Sequence, residues 1–247
     1  MKVIAIYSIK GGVGKTAAAV NLAAEAAASG ASVLLWDLDP QGASSYYFRV
    51  QPKVRGGSAR LVRGDSQLVD HLQATEFDNL DMMPADFSYR NLDLQLDDLS
   101  RPKQRLRQLL KGLEEYYDYV FLDCPPGITL LSENVFHAAD ALLVPVVPTT
   151  LSLRTLDQLK EFLARGKPQN LQVKPFLAMF EGRKALHQDV AAEFRKTNRG
   201  ALKTVIPNAS VIERMGLEQA PVRKFAPNSD AAVAFRNLWR EVKRRIG

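Results

Sequence analysis

Cysteine is almost missing from this 247-residue chain, and Cys124 stands alone. A single thiol excludes an internal disulfide framework, a four-cysteine zinc site and a self-contained iron–sulfur site. Cys124 itself reads as a small buried residue. No run reaches the roughly 18 apolar residues that a membrane-spanning helix needs. The N-terminus carries one lysine and a short apolar run over residues 3–7, cut off by Lys10. That is not the layout of a signal peptide, so the expected location is the cytoplasm. Internal repeats and low-complexity linkers are lacking too.

What remains is an ordinary globular composition, 46% hydrophobic and 24% charged, long enough to bury a core as one domain over residues 1–247. The net charge of +6 is uneven. Residues 1–150 hold 14 Lys/Arg against 18 Asp/Glu, whereas residues 151–247 hold 19 against 9. A basic C-terminal part suggests an anionic partner, nucleic acid or a membrane surface.

Short apolar runs at 3–7, 32–36, 80–83, 119–122, 141–147, 173–180 and 202–206 read as buried strands. Helical patterns lie between most of them, at 16–28, 105–115, 153–163, 190–196 and 231–246. Strands alternating with helices imply βαβ crossovers. The expected fold is therefore a doubly wound α/β architecture, with a mostly parallel sheet flanked by helices and ligands at the carboxyl ends of the strands. The stretch 51–65 has Gly56, Gly57 and Gly64 among Lys53, Arg55, Arg60 and Arg63, and reads as an irregular basic surface loop.

Between the first strand and the first helix stands Lys10-Gly11-Gly12-Val13-Gly14-Lys15-Thr16, followed by Ala17. The final Gly-Lys-Thr is that of a P-loop. Three glycines allow successive backbone N–H groups to face one anion, and the helix N-terminus adds a favourable dipole. Lys15 is placed to contact β- and γ-phosphates, and the Thr16 hydroxyl to ligate Mg²⁺. The apolar run 119–122 ends at Asp123, the position of a Walker-B acid that would also serve Mg²⁺.

With Asp37-Leu38-Asp39-Pro40-Gln41-Gly42 and Asp123-Cys124-Pro125-Pro126-Gly127, this loop resembles the ParA/MinD group of deviant Walker-A ATPases, on the ParA side. Weaker matches follow at Val205-Ile206-Pro207-Asn208 and Ala220-Pro221, so the resemblance extends from Met1 to about Val242. It implies a P-loop NTPase fold, ATP and Mg²⁺ as cofactors, and a homodimer in the ATP state. By the same resemblance, Lys10 reaches the partner subunit's phosphates. Asp39 orients the attacking water or helps the metal, although an aspartate before Pro40 can also cap a turn. Pro207 and Asn208 fall where relatives hold the adenine.

The resemblance further implies slow ATP hydrolysis stimulated by an adaptor protein, and non-specific binding of double-stranded nucleoid DNA to segregate or space a cargo. The candidate DNA contacts are Arg195, Arg199, Lys203, Arg214, Arg223 and Lys224. With the first strand opening at residue 3, no helix-turn-helix is expected ahead of the P-loop. Two departures from the family pattern stand out. Ala17 replaces a frequent hydroxyl residue, and Ala43-Ser44 follow Gly42 where an asparagine often stands.

A membrane-cycling ATPase of the MinD kind and an ATP-dependent metabolic enzyme are the alternatives. The former would lay the apolar stripe Phe235, Leu238, Trp239, Val242 and Ile246 on a membrane. Docking of that stripe on the sheet is the expectation preferred here.

Overall fold

The computed structural model describes residues 1–166, 168 and 170–246. Its strands are β1 (Lys2–Ile6), β2 (Val33–Asp37), β3 (Gln73–Ala74), β4 (Leu80–Met83), β5 (Tyr119–Asp123), β6 (Ala141–Val146) and β7 (Gln172–Leu177). They form one sheet in the order β3-β4-β2-β5-β1-β6-β7, parallel except for the two-residue edge strand β3. The helices are α1 (Lys15–Ala28), α2 (Ala43–Tyr47), α3 (Gly57–Arg63), α4 (Leu92–Asp97), α5 (Arg105–Leu110) and α6 (Leu130–Ala138). After them come α7 (Thr150–Ala164), α8 (Ala185–Thr197), α9 (Ser210–Glu213), α10 (Met215–Glu218), α11 (Val222–Phe225) and α12 (Asp230–Ile246).

Alternate residues of each strand enter opposite layers, as the two-residue period of a strand requires. On β1, Val3 and Ala5 join one buried cluster, and Ile4 and Ile6 the other. On β5, Val120 and Leu122 go one way and Phe121 the other. Both faces are therefore covered, which is why these strands read as continuous apolar runs. Helix α1 buries Ala18, Ala19, Ala23, Ala26 and Ala27, and small side chains let it lie close to the sheet. Helix α12 lies on the same face. Phe235, Leu238, Trp239, Val242 and Ile246 are all buried there, with the Trp239 ring edge-on to Tyr119 at 4.9 Å. The apolar stripe is thus occupied by the protein's own core.

Three expectations change. Residues 57–63 are helical, not irregular. Gly56 and Gly64, both in left-handed backbone (φ 79° and 92°), bracket α3 as its caps and do not break it. Ser58, Leu61 and Val62 are buried, while Arg60 and Arg63 of α3 face water. The 105–115 helix stops at Leu110 and continues as one 3₁₀ turn to Leu113.

The run 202–206 forms no strand. It touches β7 at its two ends, where the Leu202 and Ile206 N–H groups donate to the Pro175 and Leu177 carbonyls at 2.9 Å, but its middle donors go elsewhere. The N–H groups of Lys203 and Thr204 donate to the Glu241 carboxylate of α12 at 2.8–3.0 Å, and the Thr204 hydroxyl joins them at 2.8 Å. Arg245 completes the cluster at 2.9 Å. Burial alone would raise the Glu241 pKa, but these donors outweigh it and hold the group below its ordinary value of 4.5. A carboxylate held down in the folded state contributes stability above its unfolded pKa and loses it as pH falls. Glu241→Gln is therefore expected to cost about 2 kcal/mol at pH 7. In urea melts, the gap from wild type should narrow below pH 4.5. A gap that persists unchanged at low pH would show that packing, not charge, is responsible.

Candidate functional site

The carboxyl ends of β1, β2 and β5 lie side by side, and each delivers one part of the site. From β1 the chain enters residues 7–14 and turns into α1. Gly12 and Gly14 adopt left-handed backbone (φ 70° and 89°), which a Cβ would strain, so the loop depends on glycine at both positions. Its base is fixed to the loop after β5. The Tyr7 hydroxyl donates to the Gly127 carbonyl at 2.8 Å, and the Gly127 N–H to the Ile9 carbonyl at 3.0 Å. Lys15, on the first turn of α1, is buried, and its ammonium donates back to the Lys10 carbonyl at 3.2 Å. Burial lowers its pKa, against the pull of Asp123, Cys124 and Asp39.

Strands β2 and β5 pair in register so that Asp37 stands beside Asp123, both buried at the strand ends. Two consecutive serines of α2 hold them. The Ser44 hydroxyl donates to Asp123 Oδ2 at 2.6 Å, and Ser45 donates to Asp37 Oδ2 through both its N–H and its hydroxyl at 2.8 Å. Burial raises the pKa of each acid. For Asp37 the neighbouring Asp123 adds to the rise. For Asp123 the Ser44 and Thr16 hydroxyls and Lys15 oppose it, while Asp39 reinforces it. Asp123 Oδ1 is buried without a hydrogen-bond partner. An orphaned carboxylate oxygen facing Thr16 and Lys15 fits a hard cation with oxygen ligands.

Asp39 is half-buried, and its Oδ1 accepts from the Gln41 N–H at 3.0 Å, so it does cap its turn. Its charge nevertheless reaches Asp123 and Lys15. Lys10 is exposed at the rim, and among the described residues its ammonium has no hydrogen-bond or ion-pair partner. Beside the loop opens a cavity of about 210 Å³, lined by Gly12, Gly14, Ala17, Met179, Pro207 and Asn208 among others. The fold thus carries Pro207 and Asn208 to the P-loop across almost 200 residues. Cys124 is buried, with its thiol pKa pushed far up by burial.

The six basic candidates fall in two places. Arg195, Arg199 and Lys203 are exposed at and beyond the end of α8. Arg214, Arg223 and Lys224 gather around α11. There, Arg214 pairs with Glu218 at 2.6 Å and lies against the Phe225 ring. Lys224 stands 5.3 Å from the centre of the Phe77 ring. Arg223 is turned inward to the Ala24 carbonyl and Glu25. Sequence reasoning missed Ser44 and Ser45. A serine pair in a short turn carries no local signal that it will meet acids on two different strands.

The comparisons agree with this layout. A family model described as an AAA domain matches residues 1–174. The chain is 32% identical over 247 residues to the sporulation initiation inhibitor protein Soj of Bacillus subtilis, covering 98% of each chain. It is 32% identical over 250 residues to the chromosome partitioning protein ParA of Caulobacter vibrioides, covering 98% and 94%. In structure it is similar to the septum site-determining protein MinD of Pyrococcus horikoshii, solved with Mg-ADP. The TM-score is 0.80, with 26% identity and coverage of 100% and 97%. With the P-loop, the β2 and β5 acids and near full-length likeness in accord, the chain belongs to the ParA/Soj family of P-loop ATPases.

Proposed function

We propose that this chain is a cargo-positioning ATPase whose ATP state is a DNA-bound homodimer. The observation that carries the reading is the geometry around Lys10. One lysine of the loop is buried beside the acids and committed to its own site, and the other is exposed and unpaired at the rim. A cation in the second position is placed to meet phosphates presented by another copy of the chain.

In this reading the N–H groups of residues 11–16 and the Lys15 ammonium bind the phosphate chain. Ala17 contributes only its backbone, and Pro207 and Asn208 border the base in the adjoining cavity. Thr16, Asp123 and Asp39 would hold Mg²⁺, which when bound neutralises charge on the phosphates. Asp39 also orients the attacking water, as a carboxylate at the mouth of the site can. Lys10, from the partner, stabilises the charge that develops during transfer.

The basic groups at the end of α8 and around α11 support non-specific contact with DNA phosphates. Arg195, Arg199, Lys203 and Lys224 are exposed for it. An adaptor protein would stimulate hydrolysis and reset the monomer, with the DNA-bound state confined to the cytoplasm and nucleoid. Among the described residues no helix is long and apolar enough to cross a membrane, and the α12 stripe is already buried. The burial of that stripe favours DNA over a membrane surface.

Retention on immobilised plasmid DNA tests the reading. Binding should require Mg-ATP and fall steeply between about 50 and 200 mM salt. No retention with ATP at low salt would contradict it, as would equal retention with ADP.

A further inference from the structure

The segment between Asp39 and Asp65 holds no acidic residue and five basic ones. Arg49 turns away to the Glu218 carbonyl. Lys53, Arg55, Arg60 and Arg63 are exposed, and none of the ion pairs among the described residues involves a residue between 26 and 102. The Arg60 guanidinium donates only to the Asp65 carbonyl, at 3.3 Å. Burial lowers the pKa of His71, and the charges of Arg55 and Arg60 add to the fall against the pull of Asp70. Those two cations therefore project onto one place in the fold.

Charge is half of this face, and the other half is apolar. The chain from Phe87 to Asp97 runs as a 3₁₀ helix (Phe87–Asn91) into α4. Its inner side buries Tyr89, Leu92 and Leu96. Positions 87, 90 and 94, spaced i, i+3, i+7, fall on the outer side. Phe87 is 66% exposed and Leu94 73%. The Arg90 guanidinium lies over the Phe87 ring, 4.1 Å from its centre. A guanidinium stacked in this way keeps its N–H edge free for a carboxylate fork.

The two halves are locked together. The Val54 N–H donates to the Asp86 carboxylate at 2.7 Å, the Ser58 N–H to the Ser88 hydroxyl at 2.8 Å, and the Ser58 hydroxyl to the Ser88 carbonyl at 3.2 Å. Asp86 also accepts from the Ser88 N–H at 2.8 Å, so its charge is committed to backbone donors inside the joint. Scattered exposed apolar residues need no explanation. An aromatic, an arginine and a leucine on one outer helical ridge, fixed beside unpaired cations, have the make-up of a protein-binding surface. A nucleic-acid backbone would gain little from Phe87 and Leu94, and would be repelled by the exposed Asp97 and Asp98 that follow on α4.

We infer that the ridge of Phe87, Arg90 and Leu94, with Lys53, Arg55 and Arg60 beside it, docks an acidic segment of a partner protein. Apolar side chains of that segment cover Phe87 and Leu94, and its carboxylates meet the cations. The surface is separate from the nucleotide site and from the basic groups of α8 and α11, and the inference does not rest on the DNA reading given above.

The full-length protein with Mg-ADP is titrated into a fluorescein-labelled synthetic peptide of about 14 residues, all aspartate and glutamate except a central phenylalanine and leucine, at about 50 mM salt. A second peptide has serine in place of the two apolar residues. Anisotropy should saturate with the first peptide, and the second should bind at least about tenfold more weakly. Phe87→Ser/Leu94→Ser and Arg55→Gln/Arg90→Gln should each weaken the first peptide at least about tenfold and leave ADP affinity unchanged. Arg154→Gln/Arg183→Gln, an equal charge change elsewhere on the surface, should have little effect. The same variants are titrated against a duplex of about 24 base pairs. The inference is overturned if the wild type does not bind the first peptide, or if the serine peptide binds as well, which would leave charge alone. It is also overturned if the control pair weakens binding as much as Arg55→Gln/Arg90→Gln, or if the ridge variants weaken the duplex and not the peptide, which would assign the face to nucleic acid. The serine peptide decides the apolar half on the wild-type protein, whatever the folding of the ridge variants.

Discussion

Lys15→Ala is expected to abolish measurable ATP hydrolysis, a loss of at least about 10³-fold or ~4 kcal/mol of barrier, while the chain stays folded. Two observations combine in this expectation. Lys15 is the cation buried between the P-loop and the two strand-end acids, so nothing else in the loop can meet the phosphates from inside. Its burial is also costly to the protein, which is why its pKa is pulled down in spite of the nearby Asp123 and Asp39 carboxylates. In the absence of nucleotide the ammonium has only the Lys10 carbonyl to bond. Removing a desolvated charge with one hydrogen bond should therefore leave the melting temperature within a few degrees of wild type. Nucleotide-induced stabilisation, in contrast, should vanish, because binding energy adds directly to folding energy. Lys15→Arg should not rescue, since a planar fork does not fit a position shaped for a point charge. Thermal melts with and without Mg-ATP, beside a phosphate-release assay, check both halves. An unfolded Lys15→Ala protein would show that the lysine is structural.

Asp123→Asn should likewise stop turnover, by a comparable factor, through loss of the metal's carboxylate. Its effect on stability should have the opposite sign. Asp37 and Asp123 are buried side by side, and burial with mutual repulsion raises both pKa values. Acids whose folded pKa exceeds the unfolded one lose stability as pH rises through the window between the two. The empty wild-type protein is thus penalised near neutrality, and an amide at 123 removes one of the two charges while still accepting from the Ser44 hydroxyl. In EDTA the variant should match wild type only below about pH 3.8, where both acids are protonated folded and unfolded alike, and should be the more stable at pH 8, by about 1 kcal/mol. Added Mg-ATP should stabilise only the wild type. Calorimetry at the two pH values decides it, and a variant less stable than wild type at pH 8 would contradict the account of the acid pair.

Both arguments start from residues that could be read before the fold was known. The loop over residues 10–16 is contiguous, and its chemistry depends on glycine, lysine and threonine at fixed spacing. Asp37 and Asp123 each end an apolar run, so the strand ends were visible too. What was not legible required contacts between distant segments. Ser44 and Ser45 acquire meaning only because β2 and β5 become neighbours. The glycines at 56 and 64 looked like breakers, and whether a glycine breaks or caps a helix depends on the core that Leu61 and Val62 find. Residues 202–206 had the composition of a strand, but Glu241 on α12 claims the N–H groups of Lys203 and Thr204, so the run meets β7 only through Leu202 and Ile206. Arg223 looked like a surface cation because nothing nearby in sequence announces Glu25.

The central claim is that ATP joins two copies of this chain through Lys10. Light scattering on Asp39→Ala, with hydrolysis slowed, tests it most directly. With Mg-ATP the mass should double, with ADP it should not, and adding Lys10→Ala should return the ATP-bound protein to a monomer that still binds nucleotide. A Lys10→Ala/Asp39→Ala protein that dimerises with ATP as readily as Asp39→Ala alone would contradict the account.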